Sequence, residues 1–151
     1  MSMVDITAKP EVYRKATAIG RIKLKPETVK LIKGGLIEKG DPIYTAKIAG
    51  ILAAKNTPSL IPLCHPIPIT DVDIDVRVVG DSALEVEATV KSRSQTGVEM
   101  EALVAVSTAL LTIWDMVKKY EKDSEGQYPY TSIQDIHVVR KVKGQDERNN
   151  A

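Results

Sequence analysis

The chain has no phenylalanine, a single cysteine (Cys64), two histidines (His65 and His137) and a formal net charge of only +1 over 151 residues. Each scarcity excludes something. One cysteine forms no internal disulfide, and the count is too low for a structural zinc site. A charge near zero gives no bulk attraction to nucleic acid or to a membrane surface, although a local positive site for a small anion does not show in that total. Without phenylalanine, and with no aromatic on the central hairpin, the base-stacking positions of a sheet-type RNA binder are missing. No run approaches the ~18 apolar residues of a membrane span. Residues 1–5 hold no apolar signal region, so the expected location is cytoplasmic. The glycines form neither a Walker loop nor a GxGxxG turn. What remains is one domain over residues 1–151, large enough for a core without disulfides or metals. Its hydrophobic content of 43% and charged content of 27% are those of an ordinary soluble protein. Residues 143–151 are polar and are expected to form a flexible tail.

Periodicity supplies the elements. Residues 14–25 carry β-favouring positions and read as a first strand. Pro26-Glu27 opens a short helix that Gly34-Gly35 stops. Asp41-Pro42 pairs an N-cap carboxylate with a proline in the first turn, opening a second helix that ends before Pro58. Val72, Ile74, Val76 and Val78 alternate with Asp73, Asp75 and Arg77, the period of a strand with one buried face. Gly80-Asp81-Ser82 turns the chain into a second such strand over residues 84–90. Thr96 and Glu99 have the spacing of a capping box, and the helix they start runs to about Lys122. A loop over residues 125–129 leads to a last strand around residues 136–139. The resulting order, β-α-α-β-β-α-β, predicts an α+β, ferredoxin-like (split βαβ) antiparallel sheet with helices on one face and an extra helix in the first crossover.

The long helix is unusual. Leu103, Val106, Leu110, Ile113 and Val117 form the stripe that lies on the sheet. A second stripe, Glu101, Val104, Thr108, Leu111, Asp115 and Lys118, is charged only at its ends. From Ala102 to Trp114 no side chain is charged, so no face is left for water. A second protein surface is required, either the neighbouring helix, a partner subunit or both, and a homo-oligomer is expected. Glu101 and Asp115 return to nearly the same face but stand roughly 21 Å apart along the axis. One small ligand cannot touch both on one helix.

The chemistry-bearing residues sit in apolar surroundings, where an ionisable group is costly and usually has a task. Cys64 and His65 lie in a proline-bounded stretch (Leu60-Ile61-Pro62-Leu63-Cys64-His65-Pro66). As neighbours in extended backbone they point opposite ways, which disfavours a nucleophile–base dyad and suits two substrate contacts. The bland alternative is a packed thiol beside a capping imidazole. Glu99 reads as the capping-box glutamate. Glu101 lacks that explanation, although the helix dipole alone would favour it by roughly 0.3–1 kcal/mol. Asp115 and Lys118, at i,i+3, suit a partly buried acid/base pair, against the alternative of a surface ion pair. Lys39 precedes a helix N-terminus that attracts anions. With Arg14, Arg140 and Lys141 it can embrace phosphates. His137 reads as an outward-facing strand residue.

Three of these segments, Ile61-Pro62-Leu63-Cys64-His65-Pro66, Thr96-Gly97-Val98-Glu99-Met100-Glu101-Ala102-Leu103 and Leu111-Thr112-Ile113-Trp114-Asp115-Met116-Val117-Lys118, closely resemble the cyclic pyranopterin monophosphate synthase family (MoaC) of molybdenum-cofactor biosynthesis. So do Met3-Val4-Asp5-Ile6, Lys39-Gly40-Asp41 and residues 48–55, in the family's order from about Met3 to Lys141. The resemblance implies a lyase that converts 3′,8-cyclo-7,8-dihydroguanosine triphosphate into cyclic pyranopterin monophosphate and pyrophosphate. It implies a homohexamer, a trimer of dimers, with active sites at dimer interfaces. It implies that Asp115 and Lys118 are the acid/base pair and that Leu63, Cys64, His65, Met100, Glu101, Lys39, Lys141 and Arg14 bind substrate. No cofactor is required on this reading, no metal site is visible, and magnesium can accompany the triphosphate. Trp114 and Val117 depart from the family's usual tyrosine and cysteine. The link from residue 121 to residue 132 is longer than expected, and Val142-Lys143-Gly144 replaces the usual Ser-Gly-Gly. A non-catalytic anion-binding module and an RNA binder are the competing readings, and both rank below the enzyme.

Overall fold

Alternation builds the sheet. In the first strand, β1 (Val12–Lys23), residues Arg14, Ala16, Ala18, Gly20 and Ile22 share one face and are buried. The hairpin β2 (Ile69–Val79) and β3 (Ala83–Ser94) adds Ile74, Val76, Leu84, Val86, Ala88 and Val90 to the same layer. A last strand, β4 (Ser132–Lys143), pairs with β1. All pairings are antiparallel and the order is β2-β3-β1-β4, the split βαβ arrangement expected from the element pattern. The computed structural model describes residues 1–144.

The helices are α1 (Pro26–Lys33), α2 (Pro42–Lys55), α3 (Thr57–Leu60) and α4 (Glu99–Glu121). Asp41 caps α2 as expected, its carboxylate accepting from the backbone N–H of Ile43 and Tyr44 at 2.9 and 3.2 Å. Helix α4 lies on β1 and β3 through Val106, Leu110, Ile113 and Val117, all fully buried. A Cβ at Gly20 would meet Val106, Leu110 and Ile136 at 2.9 Å each, so glycine is what lets α4 settle this close to the sheet. Along its other side α4 packs on α2, where Gly50 approaches the Ala105 carbonyl and Ala46, Ala53 and Ala54 are buried. The neighbouring helix therefore supplies part of the second surface that the chargeless stretch demanded. It does not cover all of it, since Leu111 stays 59% exposed. By length and composition alone α4 would suffice to cross a membrane, but half of its most apolar stretch is buried in this core.

Several expectations need correcting. Pro58 does not merely end α2; it sits in the first turn of α3, where a missing N–H costs nothing. Helix α4 begins at Glu99 with Val98 as N-cap and no side-chain cap bond, so the capping box does not form. Strand β4 is three times the stretch read from the sequence and takes in Lys143, while the Gly144 N–H donates to the Tyr13 carbonyl at 2.8 Å. Lys143 is therefore strand and not tail, and the rest of the expected tail, residues 145–151, lies outside the described residues.

The last residue of α4 joins distant segments. Glu121 is fully buried, and its carboxylate accepts from the Lys25 N–H, the Thr28 hydroxyl and the Thr131 hydroxyl, the last at 2.6 Å. A buried carboxylate persists only when so satisfied. Glu121 thereby fixes the start of α1 and the entry to β4 against the end of α4.

Candidate active site at the two ends of one helix

The expected site residues fall into two groups, one at each end of α4. At the N-terminal end, a cavity of about 440 Å³ is lined by Leu63, Cys64, His65, Glu99 and Met100, with Val4 and Ile6 closing one side. Glu101 is 1% exposed, and the Cys64 thiol points at its Oε2 from 3.8 Å. Burial raises the Glu101 pKa, helped by the nearby Glu99 charge and opposed by hydrogen bonds from its own backbone and from Cys64. Burial also raises the Cys64 pKa, and the Glu101 charge adds to it, so this thiol is a poor thiolate nucleophile. His65 lines the same cavity, and its Nε2 lies 2.7 Å from the Val4 carbonyl rather than on the Cys64 thiol, so the two form no dyad. A carbonyl only accepts, so Nε2 carries the proton.

Two cations complete this end. Lys141 reaches across from β4 to Glu99 Oε1 at 2.5 Å. Arg14 is only 4% exposed because strand phase turns it toward the core layer. Its Nη2 donates to the Gln95 carbonyl at 3.4 Å, and its buried Nε has no partner among the described residues. Partial burial works against ionisation of Glu99, but Lys141, a backbone N–H and the Arg14 charge together carry its pKa below the usual value. Glu99 is the candidate site residue that the capping-box reading explained away. The available signal was a second carboxylate two residues before Glu101 in the same apolar helix start. Val4 and Ile6, quoted only for the resemblance, and Lys9 also line the cavity.

At the C-terminal end, Asp115 receives two lysines. Lys118 Nζ donates to Oδ1 at 2.9 Å, and Lys39 Nζ donates to Oδ2 at 3.0 Å and to the Asp115 carbonyl at 3.2 Å. Hydrogen bonds from Lys118 and then Lys39 hold the Asp115 pKa below its ordinary value, and Asp115 in turn raises that of Lys118. The expected partial burial is absent in the single chain: the Asp115 side chain is 57% exposed. Among the described residues nothing covers Asp115 or Leu111 on that part of α4. Beside the triad, Leu111, Trp114 and Ile133 line a shallow cavity of about 370 Å³. Tyr128 from the long link packs on Trp114, ring centroids 5.1 Å apart. Val117 is fully buried in the core and shapes no pocket. His137 is exposed on β4, as expected, and takes no part in either group.

Residues 3–144 match the model of the MoaC family. A protein of Pyrococcus horikoshii named "Probable cyclic pyranopterin monophosphate synthase" is 64% identical over 95% of this chain and 89% of its own length. Proteins of the same name from Thermococcus kodakarensis and Sulfurisphaera tokodaii are 60% and 57% identical, over 97% and 96% of this chain and 93% and 95% of theirs.

Proposed function

The chain belongs to the MoaC family, and from that premise we propose that it is a cyclic pyranopterin monophosphate synthase. It would convert (8S)-3′,8-cyclo-7,8-dihydroguanosine 5′-triphosphate into cyclic pyranopterin monophosphate and pyrophosphate, as a lyase of the cytoplasm. The observation that supports the reading best is the division of the site: a carboxylate and lysines at one end of α4, a carboxylate, thiol and imidazole at the other, roughly 21 Å apart. On this proposal two copies of the chain, paired within a homohexamer, bring the C-terminal end of one α4 to the N-terminal end of another. The uncovered Leu111, and the exposed stripe Tyr44, Ile48 and Leu52 on α2, are apolar surface that such an assembly would bury.

The reaction asks for proton movement and for neutralisation of phosphate charge, and is redox-neutral. In the ring rearrangement, Asp115 accepts a proton and Lys118 donates one, each held in the right form by the other. Cys64, His65, Met100 and Glu101 of the second copy hold the base. In the closing step a ribose-derived hydroxyl oxygen bonds to the α-phosphorus, its proton leaves to a site base, and the bond to the departing pyrophosphate breaks. Lys39, Lys141 and the under-satisfied guanidinium of Arg14 stabilise the charge that accumulates there. No resident cofactor enters this scheme; magnesium would come with the triphosphate and supply charge neutralisation there.

Incubation with the cyclic dihydroguanosine triphosphate should release pyrophosphate and form a pterin, while Asp115→Asn should not. Mixing Asp115→Ala with Glu101→Ala subunits should restore part of the activity. No restoration after verified subunit exchange would refute the shared site.

A further inference from the structure

Lys39 is held on Asp115 by something other than its own flexible side chain. It sits in the connection between α1 and α2, flanked by Gly35 and Gly40, both at positive φ with open space where a Cβ would be. Such a connection moves easily unless it is pinned. Ile37 is one pin, buried in the core. Residues 37–40 then form a turn closed by the Gly40 N–H on the Ile37 carbonyl at 3.1 Å, which leaves the Glu38 N–H facing outward. The Tyr120 hydroxyl accepts that N–H at 2.9 Å. Lys119 pairs with the Glu38 carboxylate. The next residue of the helix, Glu121, grips the start of α1. Three consecutive residues of α4 therefore hold the α1 unit, and the one that reaches the residue beside Lys39 through backbone is Tyr120.

We propose that Tyr120 is a positioning residue of the active site: by holding the Glu38 amide it fixes the turn that keeps Lys39 on Asp115. The claim rests on the role given above to the Asp115 triad. Without the phenol, the turn stays attached at Ile37 but pivots at its two glycines, and the Lys39 ammonium spends less time on Oδ2. The charged and titratable groups around Asp115 are Lys118 and Lys119 on its own helix, Glu38 and Lys39 on the turn, and the Tyr120 phenol, with Tyr128 bearing on Lys118 from the link. Lys118 is untouched by the change, so what is lost is the Lys39 share of the stabilisation of the Asp115 carboxylate.

The test is a carboxyl titration of Asp115 by carbon-13 NMR on the full chain, in the wild type, Tyr120→Phe, Lys39→Met and the double variant. Tyr120→Phe should raise the Asp115 pKa in the direction of Lys39→Met, and the double variant should go no further than Lys39→Met alone. Glu38→Pro serves as the second variant. It deletes the same N–H at a turn position that accepts proline; because it also removes the carboxylate paired with Lys119, it is read against Glu38→Gln, relative to which it should raise the Asp115 pKa as Tyr120→Phe does. In turnover, Tyr120→Phe should lower kcat about tenfold, with the acid limb of its pH profile displaced upward by the titration shift. An unchanged Asp115 titration in both variants, or a double variant that adds the two shifts, would overturn the proposal. If the titrations behave as stated but wild-type protein releases no pyrophosphate, the clamp stands and the proposed function fails.

Discussion

The two ends of α4 handle a carboxylate in opposite ways. At the N-terminal end Glu101 is buried, has only a thiol and its own backbone as hydrogen-bond partners among the described residues, and is pushed toward its neutral form. At the C-terminal end Asp115 is open to solvent and held ionised by two ammonium groups. Both carboxylates sit on the same stripe of one helix, so the difference comes from what surrounds each. Glu101 is enclosed by its own chain, with the Cys64 thiol against its carboxylate. Asp115 meets only a turn and a lysine one helical turn on. In the single chain Glu101 is enclosed while Leu63 and Met100 beside it stay open to solvent, and the other half-site is preorganised but uncovered. Ion pairs in water are worth little; the Asp115 triad gains its strength only when water is excluded from it.

Variants at each end should separate the two regimes. The largest effect is expected at the open end: Asp115→Asn should reduce kcat by about 10²–10⁴, the range of lost acid/base catalysis. In dissociated single chains its melting temperature should stay near wild type because the group is solvated there, whereas a thermal loss confined to the assembled protein would show that a second copy covers this end. Gly97→Ala probes the closed end, since a Cβ there would collide with the Glu99 carboxylate. The displaced Glu99 should free Lys141 and raise KM about tenfold, equivalent to about 1.4 kcal/mol; unchanged kinetics would remove Glu99 from the site.

Glu101→Gln should stabilise the fold at neutral pH by about 1 kcal/mol, or roughly 2–4 °C in melting temperature, while lowering activity. A carboxyl with a raised folded-state pKa binds more protons in the native than in the unfolded chain between the two values. Its ionisation therefore costs stability as pH rises from the ordinary 4.5 through the folded value. The gain should vanish in melts below that window, and a gain that persisted there would point to packing. The smallest effect belongs to the helix-free face of the sheet, where Arg77 joins Asp75, Glu85 and Glu87. Arg77→Met should cost about 0.2–1 kcal/mol and leave turnover unchanged, giving both ends a common control.

Where one rule governed a segment, the sequence was readable. Alternation located β2 and β3, the Asp41-Pro42 pair located α2, and the second apolar stripe of α4 announced that more than the sheet must cover it. Reading failed where two rules competed. Asp135 has φ of +58° and the β4 register slips twice against β1, so the strand's alternation breaks and only its middle showed. Glu99 satisfied the spacing of a cap while its carboxylate went to Lys141, a residue more than forty positions away. Asp115 was expected to be partly buried because its helix neighbours are apolar. Burial depends on what lies opposite, and periodicity along one chain does not specify a second chain.

Lys141 comes from the outermost strand, and that placement orders events during synthesis. The core strands, α2 and α4 all precede Ser132 in the chain, so a nascent polypeptide can build its interior while β1 still offers a bare row of amides along residues 14–23. Until the final strand leaves the ribosome, Glu99 lacks its ammonium partner and that flank invites pairing with a stray strand. Closing the flank and completing the cation set are a single event, so a truncated product would be sticky and inactive for the same reason.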